Sequence, residues 1–229
     1  MSNFGFIFAR GGSKGLVGKN IKLLHGKPLI GYSIESAQDT PEIDKVFVST
    51  DDAEIAKIAE SFGAIVIDRP KVLAGDTSAE WDAWRHAIEY VREEYGDFDL
   101  FISLPATSPL RAVNDTQAAI NELLNSGADI CISITPANRS PFFNMVTLNN
   151  NGYAELVNSP KESVLRRQDA PTVFDITTVV YVAKTEFILQ KYGIFSGKVA
   201  TINVPKERAV DIDDIYDFMM AESIMSRDS

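Results

Sequence analysis

The chain has 229 residues, of which 45% are hydrophobic and 24% are charged, and its formal charge at pH 7 is -10. A chain of this length can bury one sizeable core, and the composition is that of an ordinary globular protein. The acidic balance argues against wholesale binding to nucleic acid or to an anionic membrane, because a large basic surface is missing. No stretch approaches the ~20 apolar residues that cross a bilayer, and no signal-peptide pattern is evident. We therefore expect a cytoplasmic protein with neither a nucleic-acid nor a membrane partner.

Short apolar runs alternate with segments of helical periodicity through the first two thirds of the chain. The apolar runs predict strands, and segments with apolar residues three and four positions apart predict helices. This alternation predicts an α/β fold with a mostly parallel sheet covered on both faces, in which ligands gather beyond the carboxyl ends of the strands. The predicted strands are Phe4–Ala9, Val46–Ser49, Ala64–Ile67, Leu100–Leu104 and Ile130–Ile134, and the predicted helices are Leu29–Ala37, Ala53–Phe62, Ser78–Glu94 and Thr116–Ser126.

Several helix starts carry a capping pattern, in which a polar side chain is followed three residues later by Glu or Gln. The pairs are Asp51 with Glu54, Thr77 with Glu80, and Asn114 with Gln117.

The pattern changes over residues 136–175, which are rich in Asn, Pro and Arg. A turn signal at residues 149–152 separates two short apolar stretches, which predicts an antiparallel excursion from the main sheet. We expect residues 1–229 to form one domain that contains this excursion. The chain then resumes with a strand at Thr178–Val182, a short helix, a strand at Val199–Val204 and a final helix from about Ile212. The single Cys131 lies in an apolar strand pattern and is expected to be buried and inert.

A glycine-rich basic segment follows the first predicted strand. The first 34 residues carry five basic side chains and no acidic one. Glycines let backbone N–H groups approach phosphate oxygens, and the cations neutralise their charge, so the segment predicts a triphosphate site. It has neither the P-loop nor the dinucleotide spacing. A solvated loop is the alternative, but interleaved cations repel one another without an anionic partner. The five basic residues are Arg10, Lys14, Lys19, Lys22 and Lys27.

Two carboxylates near the carboxyl end form a second candidate site. Asp211 and Asp213 are two positions apart, so in an extended segment both would face one side and could share a divalent ion. An acidic start to the last helix, favoured by the helix dipole, is the alternative and would be preferred on spacing alone. The alternative weakens if a triphosphate binds nearby, because that ligand needs a counterion.

Several motifs make the chain resemble one known family, the CMP-sialic acid synthetases, or acylneuraminate cytidylyltransferases. The motifs occur along the whole chain in the family's order, which makes the match highly specific. They are Phe8-Ala-Arg-Gly-Gly-Ser-Lys-Gly15, Gly18-Lys-Asn20, Val48-Ser-Thr-Asp51, Arg69-Pro70, Leu73-Ala-Gly-Asp-Thr77, Thr107-Ser-Pro-Leu-Arg111, Arg166-Arg-Gln-Asp-Ala-Pro171 and Asp211-Ile-Asp213.

The resemblance implies a three-layer α/β/α, Rossmann-like nucleotidyltransferase fold and a cytoplasmic homodimer in which the excursion crosses to the second subunit. It implies that CTP and an acidic nine-carbon sugar, a nonulosonic acid, give a CMP-sugar for surface glycans and pyrophosphate, with Mg²⁺ as cofactor. Catalytic roles fall on Arg10, Lys19 and Asp211, and the metal ligands are Asp211 and Asp213. Nucleotide contacts fall on Ala9, Arg10, Gly11, Gly12, Ser13, Lys14, Lys19, Asn20, Arg69, Thr77 and Ser78. Sugar contacts fall on Arg166, Arg167, Gln168 and Thr177.

The chain departs from the family's pattern where the sugar is expected. Pro105-Ala106 stands where the family reads Gln-Pro, and Thr177-Thr178 stands where it often has an amide next to a small residue. Such changes alter hydrogen-bonding capacity and leave the particular nonulosonic acid open, with a lean toward legionaminic-type sugars. The alternatives are a cytidylyltransferase for an eight-carbon acid of the 3-deoxy-manno-octulosonate type, another sugar nucleotidyltransferase, or a nucleotide-binding regulator without catalysis.

Overall fold

A seven-stranded mixed sheet lies at the centre of the structure, a computed structural model that describes residues 2–12, 15–75, 78–159 and 166–227. In these ranges the strands are β1 Asn3–Phe8, β2 Leu23–Leu24, β3 Lys27–Pro28, β4 Lys45–Thr50, β5 Ile65–Asp68, β6 Leu100–Ser103, β7 Ile130–Pro136, β8 Val146–Leu148, β9 Ala154–Leu156, β10 Phe174–Lys184 and β11 Val199–Asn203. The helices are α1 Leu29–Gln38, α2 Ala53–Ser61, α3 Glu80–Tyr95, α4 Val113–Ser126, α5 Thr185–Gln190 and α6 Ile215–Met225.

The main sheet has the strand order β11-β7-β10-β6-β1-β4-β5. Its neighbouring strands are parallel, except that β10 runs antiparallel to both β6 and β7. The predicted mostly parallel sheet is therefore confirmed. The predicted strand at Thr178–Val182 is the middle of the longer strand β10, which runs opposite to its two neighbours.

Helices cover both faces of this sheet, as the alternating apolar runs predict. Phe6 of β1 and Phe47 of β4 pack with α3 and α5, whereas Ile7 and Val48 pack with α1, α2 and α4 on the opposite face. Successive side chains of a strand point to opposite faces, so strands buried on both sides read as nearly continuous apolar runs. The result is the three-layer arrangement, with α6 packed on a smaller cluster beside the β2–β3 hairpin.

Two of the predicted helix caps are wrong. Asp52, not Asp51, caps α2, because its Oδ1 accepts from the backbone N–H groups of Glu54 at 2.8 Å and Ile55 at 3.0 Å. At the start of α4, Asn114 lies inside the helix, and the Asp115 carboxylate accepts from Ala112 N at 3.0 Å. Thr77 lies outside the described residues.

The last helix begins three residues later than predicted. The Asp214 carboxylate caps it by accepting from the N–H groups of Tyr216 at 2.7 Å and Asp217 at 3.1 Å. The start at Ile215 leaves Asp211 and Asp213 in a loop before the helix.

The residues between β7 and β10 carry a separate antiparallel hairpin, β8–β9. The hairpin corresponds to the excursion predicted from the turn signal at residues 149–152. Cys131 is fully buried in β7, and burial raises the pKa of its thiol to about 12. Among the described residues, no helix is long and apolar enough to cross a membrane.

Candidate active site

Three cavities open where the strands β1, β6 and β7 end at their carboxyl side. The first, of about 240 Å³, contains Arg69 and is called the arginine cavity. The second, of about 400 Å³, contains Lys19 and Asn20 and is called the loop cavity. The third, of about 320 Å³, contains Thr135 and Thr177 and is called the threonine cavity. The first two share Phe8 and Arg10, so they form one continuous cleft.

The basic loop lines the loop cavity and is held at several points. Ala9 N donates to Ser49 O at 3.1 Å, and Gly11 N donates to the Asp51 carboxylate at 3.2 Å. The buried Asn20 amide donates to Arg10 O at 3.1 Å and so joins the two ends of the loop.

The acidic residue Asp213 lies against this loop. The Lys19 ammonium forms an ion pair with the Asp213 carboxylate at 3.0 Å, and their side chains are 12% and 77% exposed. A Cβ atom on Gly15 would lie 2.3 Å from Asp213 O, so only glycine permits this approach. Gly12 is exposed, and the predicted contacts Ser13 and Lys14 lie outside the described residues.

Arg69 is buried beneath the arginine cavity. Its Nε donates to Ser49 Oγ at 3.1 Å and its Nη2 to Ser49 O at 2.6 Å, while the guanidinium lies 5.4 Å from the centre of the Phe8 ring. Desolvation lowers the pKa of Arg69, and the nearby Asp51 and Glu80 carboxylates oppose this effect. These contacts fix the guanidinium in one orientation.

Two further residues line the arginine cavity at the start of α3. Ser78 lines it, with its hydroxyl donating to Val72 O at 2.7 Å. Glu80 also lines the cavity as an exposed residue, and desolvation raises the pKa of its carboxyl, which hydrogen bonding to Trp84 and the charge of Arg69 partly offset. Sequence reasoning missed Glu80 because it was interpreted as the partner of a Thr77 cap. The sequence did offer one signal for Glu80, because this residue lies at the start of the helix that follows the Arg69 segment.

Asp211 and Asp213 have different surroundings. Asp211 is half-buried and lines the threonine cavity, whereas Asp213 lines the loop cavity. Burial raises the pKa of Asp211, and hydrogen bonding to Thr107 and Thr178 partly opposes the rise. Asp211 Oδ1 is buried without a hydrogen-bond partner. Among the described residues, no group of three or more His, Cys, Asp or Glu could hold a metal, so this site offers two carboxylates at most.

A buried arginine anchors the loop that carries Thr107. Arg111 donates through Nη2 to Pro105 O at 2.8 Å, through Nη1 to Ser33 Oγ at 3.0 Å, and through Nε to Val179 O. This loop in turn holds the segment that carries Asp211 and Asp213, because Ile212 N donates to Thr107 O at 2.9 Å.

An irregularity in β10 lies at Thr177 and Thr178, and Thr177 lines the threonine cavity. The register with β7 shifts between Ile176 and Tyr181, and the Ser133 hydroxyl fills the gap by accepting from Val180 N at 3.1 Å. Thr177 Oγ1 donates to Ser133 Oγ at 2.8 Å, and Thr178 Oγ1 lies 2.7 Å from Ser108 Oγ. Such bulges re-aim side chains and are common next to active sites.

The predicted sugar contacts are not brought together. Thr177 lines the threonine cavity, whereas Arg166, Arg167 and Gln168 form an exposed turn that lines none of the three cavities. Arg166 pairs with Asp169 through bonds of 2.8 Å and 3.0 Å. The threonine cavity instead contains residues that sequence reasoning did not single out, among them Asn138, Asp175, Lys206, Asp217 and Met220.

The layered fold and the cationic loop after the first strand define a nucleotide-binding α/β protein. The chain matches the family model described as cytidylyltransferase over residues 4–221 and belongs to that family, so it is a nucleotidyltransferase. It is 32% identical over 221 residues to the post-translational flagellin modification protein B of Campylobacter coli, and 32% identical over 222 residues to the CMP-N,N'-diacetyllegionaminic acid synthase of Campylobacter jejuni. Each match covers 96% of this chain and 93% of the relative.

Longer relatives share the same region. The chain is 34% identical to N-acylneuraminate cytidylyltransferase A of Danio rerio over 224 residues, which are 96% of this chain and 50% of that protein. These relatives confirm the resemblance to the CMP-sialic acid synthetases. A solved structure of CMP:2-keto-3-deoxy-manno-octonic acid synthetase complexed with CTP superposes with a TM-score of 0.74, covering 100% of both chains at 16% identity. At that identity the likeness shows the fold alone.

Proposed function

We propose that this cytidylyltransferase joins CMP from CTP to the anomeric hydroxyl of an acylated nonulosonic acid and releases pyrophosphate. One observation carries the proposal. The loop cavity, with Arg10, Lys19 and Asn20, adjoins the arginine cavity, and the Asp211–Asp213 segment links it to the threonine cavity. A nucleotide and an acidic sugar can therefore meet beside this segment.

The triphosphate would occupy the loop cavity and the cytosine base the arginine cavity. Arg10, Lys19 and the backbone N–H groups of the loop would neutralise the phosphates and align them. The hydroxyl oxygen of the sugar would form a bond to the α-phosphorus while the bond from the α-phosphorus to the bridging oxygen breaks, pyrophosphate would leave with that oxygen, and the hydroxyl proton would pass to water. Alignment and charge stabilisation supply most of the rate enhancement in such transfers, and no enzyme nucleophile is required.

The sugar would occupy the threonine cavity. Its lining combines hydroxyl, amide and carboxylate groups with apolar surface from Ile176 and Met220. Lys206 is the only cation among the described residues that line this cavity, so it is the candidate partner within the chain for the carboxylate of the sugar. The Arg166–Gln168 turn would keep the sugar-binding role that the resemblance implies, but in the sugar site of the second subunit.

The site fits the magnesium ion that the resemblance implies. Asp211 Oδ1 is buried without a partner, which is what an absent ligand would leave, and Asp213 lies two residues on. Asp211 and Asp213 would hold the ion. When bound, it would supply charge neutralisation at the phosphate oxygens and lower the pKa of the attacking hydroxyl. We expect the reaction in the cytoplasm.

A homodimer is supported by apolar residues exposed around the β8–β9 hairpin. Val146 is 60% exposed, Leu148 69% and Tyr153 71%, and exposed apolar patches of this kind mark interaction sites. We expect Leu148→Asp to shift the mass measured by light scattering from dimer to monomer. Thr147→Asp, at the neighbouring exposed position of β8, should leave the dimer intact. A monomeric wild-type protein would contradict the dimer.

Pyrophosphate release tests the function directly. The enzyme is incubated with magnesium, CTP and a panel of 2-keto-3-deoxy acids and sugar 1-phosphates. Release with nine-carbon acylated acids supports the proposal. Release only with an eight-carbon acid, or only with sugar 1-phosphates, would favour the corresponding alternative enzyme. CTP binding without turnover on any sugar would instead identify a regulator.

A further inference from the structure

Glu80 occupies an unusual position for a carboxylate in a site built for a polyanion. It is the first residue of α3 and lines the arginine cavity together with Arg10 and Arg69. It is the only acidic residue among the described residues that line this cavity. A carboxylate placed there repels phosphates, so its use lies with another part of the nucleotide.

The cavity presents donors of fixed orientation on Arg69 and an acceptor on Glu80. The Arg69 guanidinium is oriented by its two bonds to Ser49 and by the Phe8 ring. Glu80 is anchored at the start of a helix whose next turn carries the buried Trp84, packed against Phe8 with ring centres 6.4 Å apart. An ionised carboxylate accepts hydrogen bonds only, and a guanidinium donates only.

This arrangement matches one pyrimidine better than the other. Cytosine has acceptors at O2 and N3 and donates through its exocyclic amine, whereas uracil places an acceptor oxygen where that amine lies. With uracil, the O4 atom and the carboxylate would face each other as two acceptors. The carboxylate would then lack the hydrogen bond that the cytosine amine donates. Unpaired groups of this kind give strong discrimination.

On the basis of the proposed function, we propose that Glu80 is a specificity-determining residue that selects CTP over UTP by accepting a hydrogen bond from the exocyclic amine of cytosine. Arg69 supplies the opposing donors for the ring acceptors. The base is thus read by a donor–acceptor pair of side chains at the end of the cleft away from the reacting phosphate.

Titration calorimetry with CTP and UTP in the presence of magnesium, without any sugar, tests this role. We expect the wild-type enzyme to prefer CTP by about 100-fold. Glu80→Gln, whose amide can both accept and donate, should lower the ratio of CTP to UTP affinity by about tenfold or more, mainly through stronger UTP binding. Glu80→Ala should lower it as well. Asp82→Asn removes a charge from the same helical turn at an exposed position outside the cavity, and it should leave the ratio unchanged.

The outcomes separate this inference from the proposed function. An unchanged ratio in both Glu80 variants, with unaltered melting temperatures, would overturn it. A loss of CTP affinity in the Glu80 variants that is absent with 2′-deoxy-CTP would also overturn it, because Glu80 would then contact the ribose hydroxyl. A wild-type enzyme that binds CTP and UTP equally would also overturn it, yet leave the nucleotide site standing. A wild-type enzyme that binds neither would contradict the proposed function itself.

Discussion

Replacing Asp211 by Asn should stabilise the protein while abolishing its activity. Burial raises the pKa of Asp211 above its ordinary value of 3.8, so the ionised carboxylate costs stability in the folded state. Below that value the carboxyl is neutral in both states and the cost is absent. The cost develops as the pH rises through 3.8 toward the folded-state pKa and is complete above it.

The size of the gain follows from the partial burial of this carboxylate. One oxygen lacks a partner, but hydrogen bonding to Thr107 and Thr178 compensates part of the penalty. We therefore expect Asp211→Asn to raise the free energy of unfolding at neutral pH by about 1 kcal/mol. In a chain of this length that corresponds to a melting temperature about 2–4 °C higher. Turnover should fall by about 100-fold or more, because a group that acts on the reacting phosphates is lost.

Calorimetric melting at several pH values, together with pyrophosphate release, checks both parts. The difference in melting temperature between variant and wild type should be larger at about pH 7 than at about pH 4.5. Asp213→Asn is the matched control: Asp213 is exposed and paired with Lys19, so its loss should give no stabilisation. A less stable Asp211→Asn protein, a pH-independent difference, or near-normal turnover would refute the assignment of Asp211 as a strained functional carboxylate.

Other substitutions test the supports of the site. Gly15→Ala should weaken CTP binding by about tenfold in calorimetry, because the added Cβ would lie 2.3 Å from Asp213 O; unaltered binding would contradict the close approach of the loop. Arg111→Met should lower the free energy of unfolding by about 3–5 kcal/mol in denaturant titrations, since it leaves buried acceptors unpaired; a smaller loss would mean that water replaces the guanidinium. Cys131 should react with a thiol reagent only on unfolding, because burial raises its pKa to about 12, and rapid labelling of the native protein would disprove its burial.

The layered fold could be predicted because its strands are buried on both faces. Phe4–Ala9 and Ile130–Ile134 are continuous apolar runs, and the structure places β1 and β7 there. The antiparallel direction of β10 could not be predicted from its composition, since an apolar run is the same in either direction. The cap predicted at Asp51 was wrong because Asp51 and Asp52 are adjacent and equally suited to cap α2. In the fold Asp51 accepts a hydrogen bond from the distant Gly11 N, and Asp52 caps the helix.

The candidate site was only partly predictable, and the missing part depends on tertiary contacts. The motifs pointed to the basic loop and to Arg69 because they are compact in the sequence. Glu80 and Lys206 are isolated residues whose chemistry becomes apparent only when α3 and the segment after β11 reach the cleft. Arg166 satisfies a sequence criterion for carboxylate recognition, and in the single chain its guanidinium pairs with Asp169 three residues away.

The basic loop is neutralised in a way that the linear sequence hides. Its cations have no acidic neighbour in the sequence, yet the fold brings Asp51 to Gly11 N and Asp213 to Lys19. Repulsion among the cations is therefore relieved in the free protein, and a bound triphosphate would have to displace Asp213 from Lys19. The exchange would release this carboxylate in the loop cavity at the moment the phosphates enter it. Phosphate binding and the freeing of the Asp213 carboxylate would then be one event.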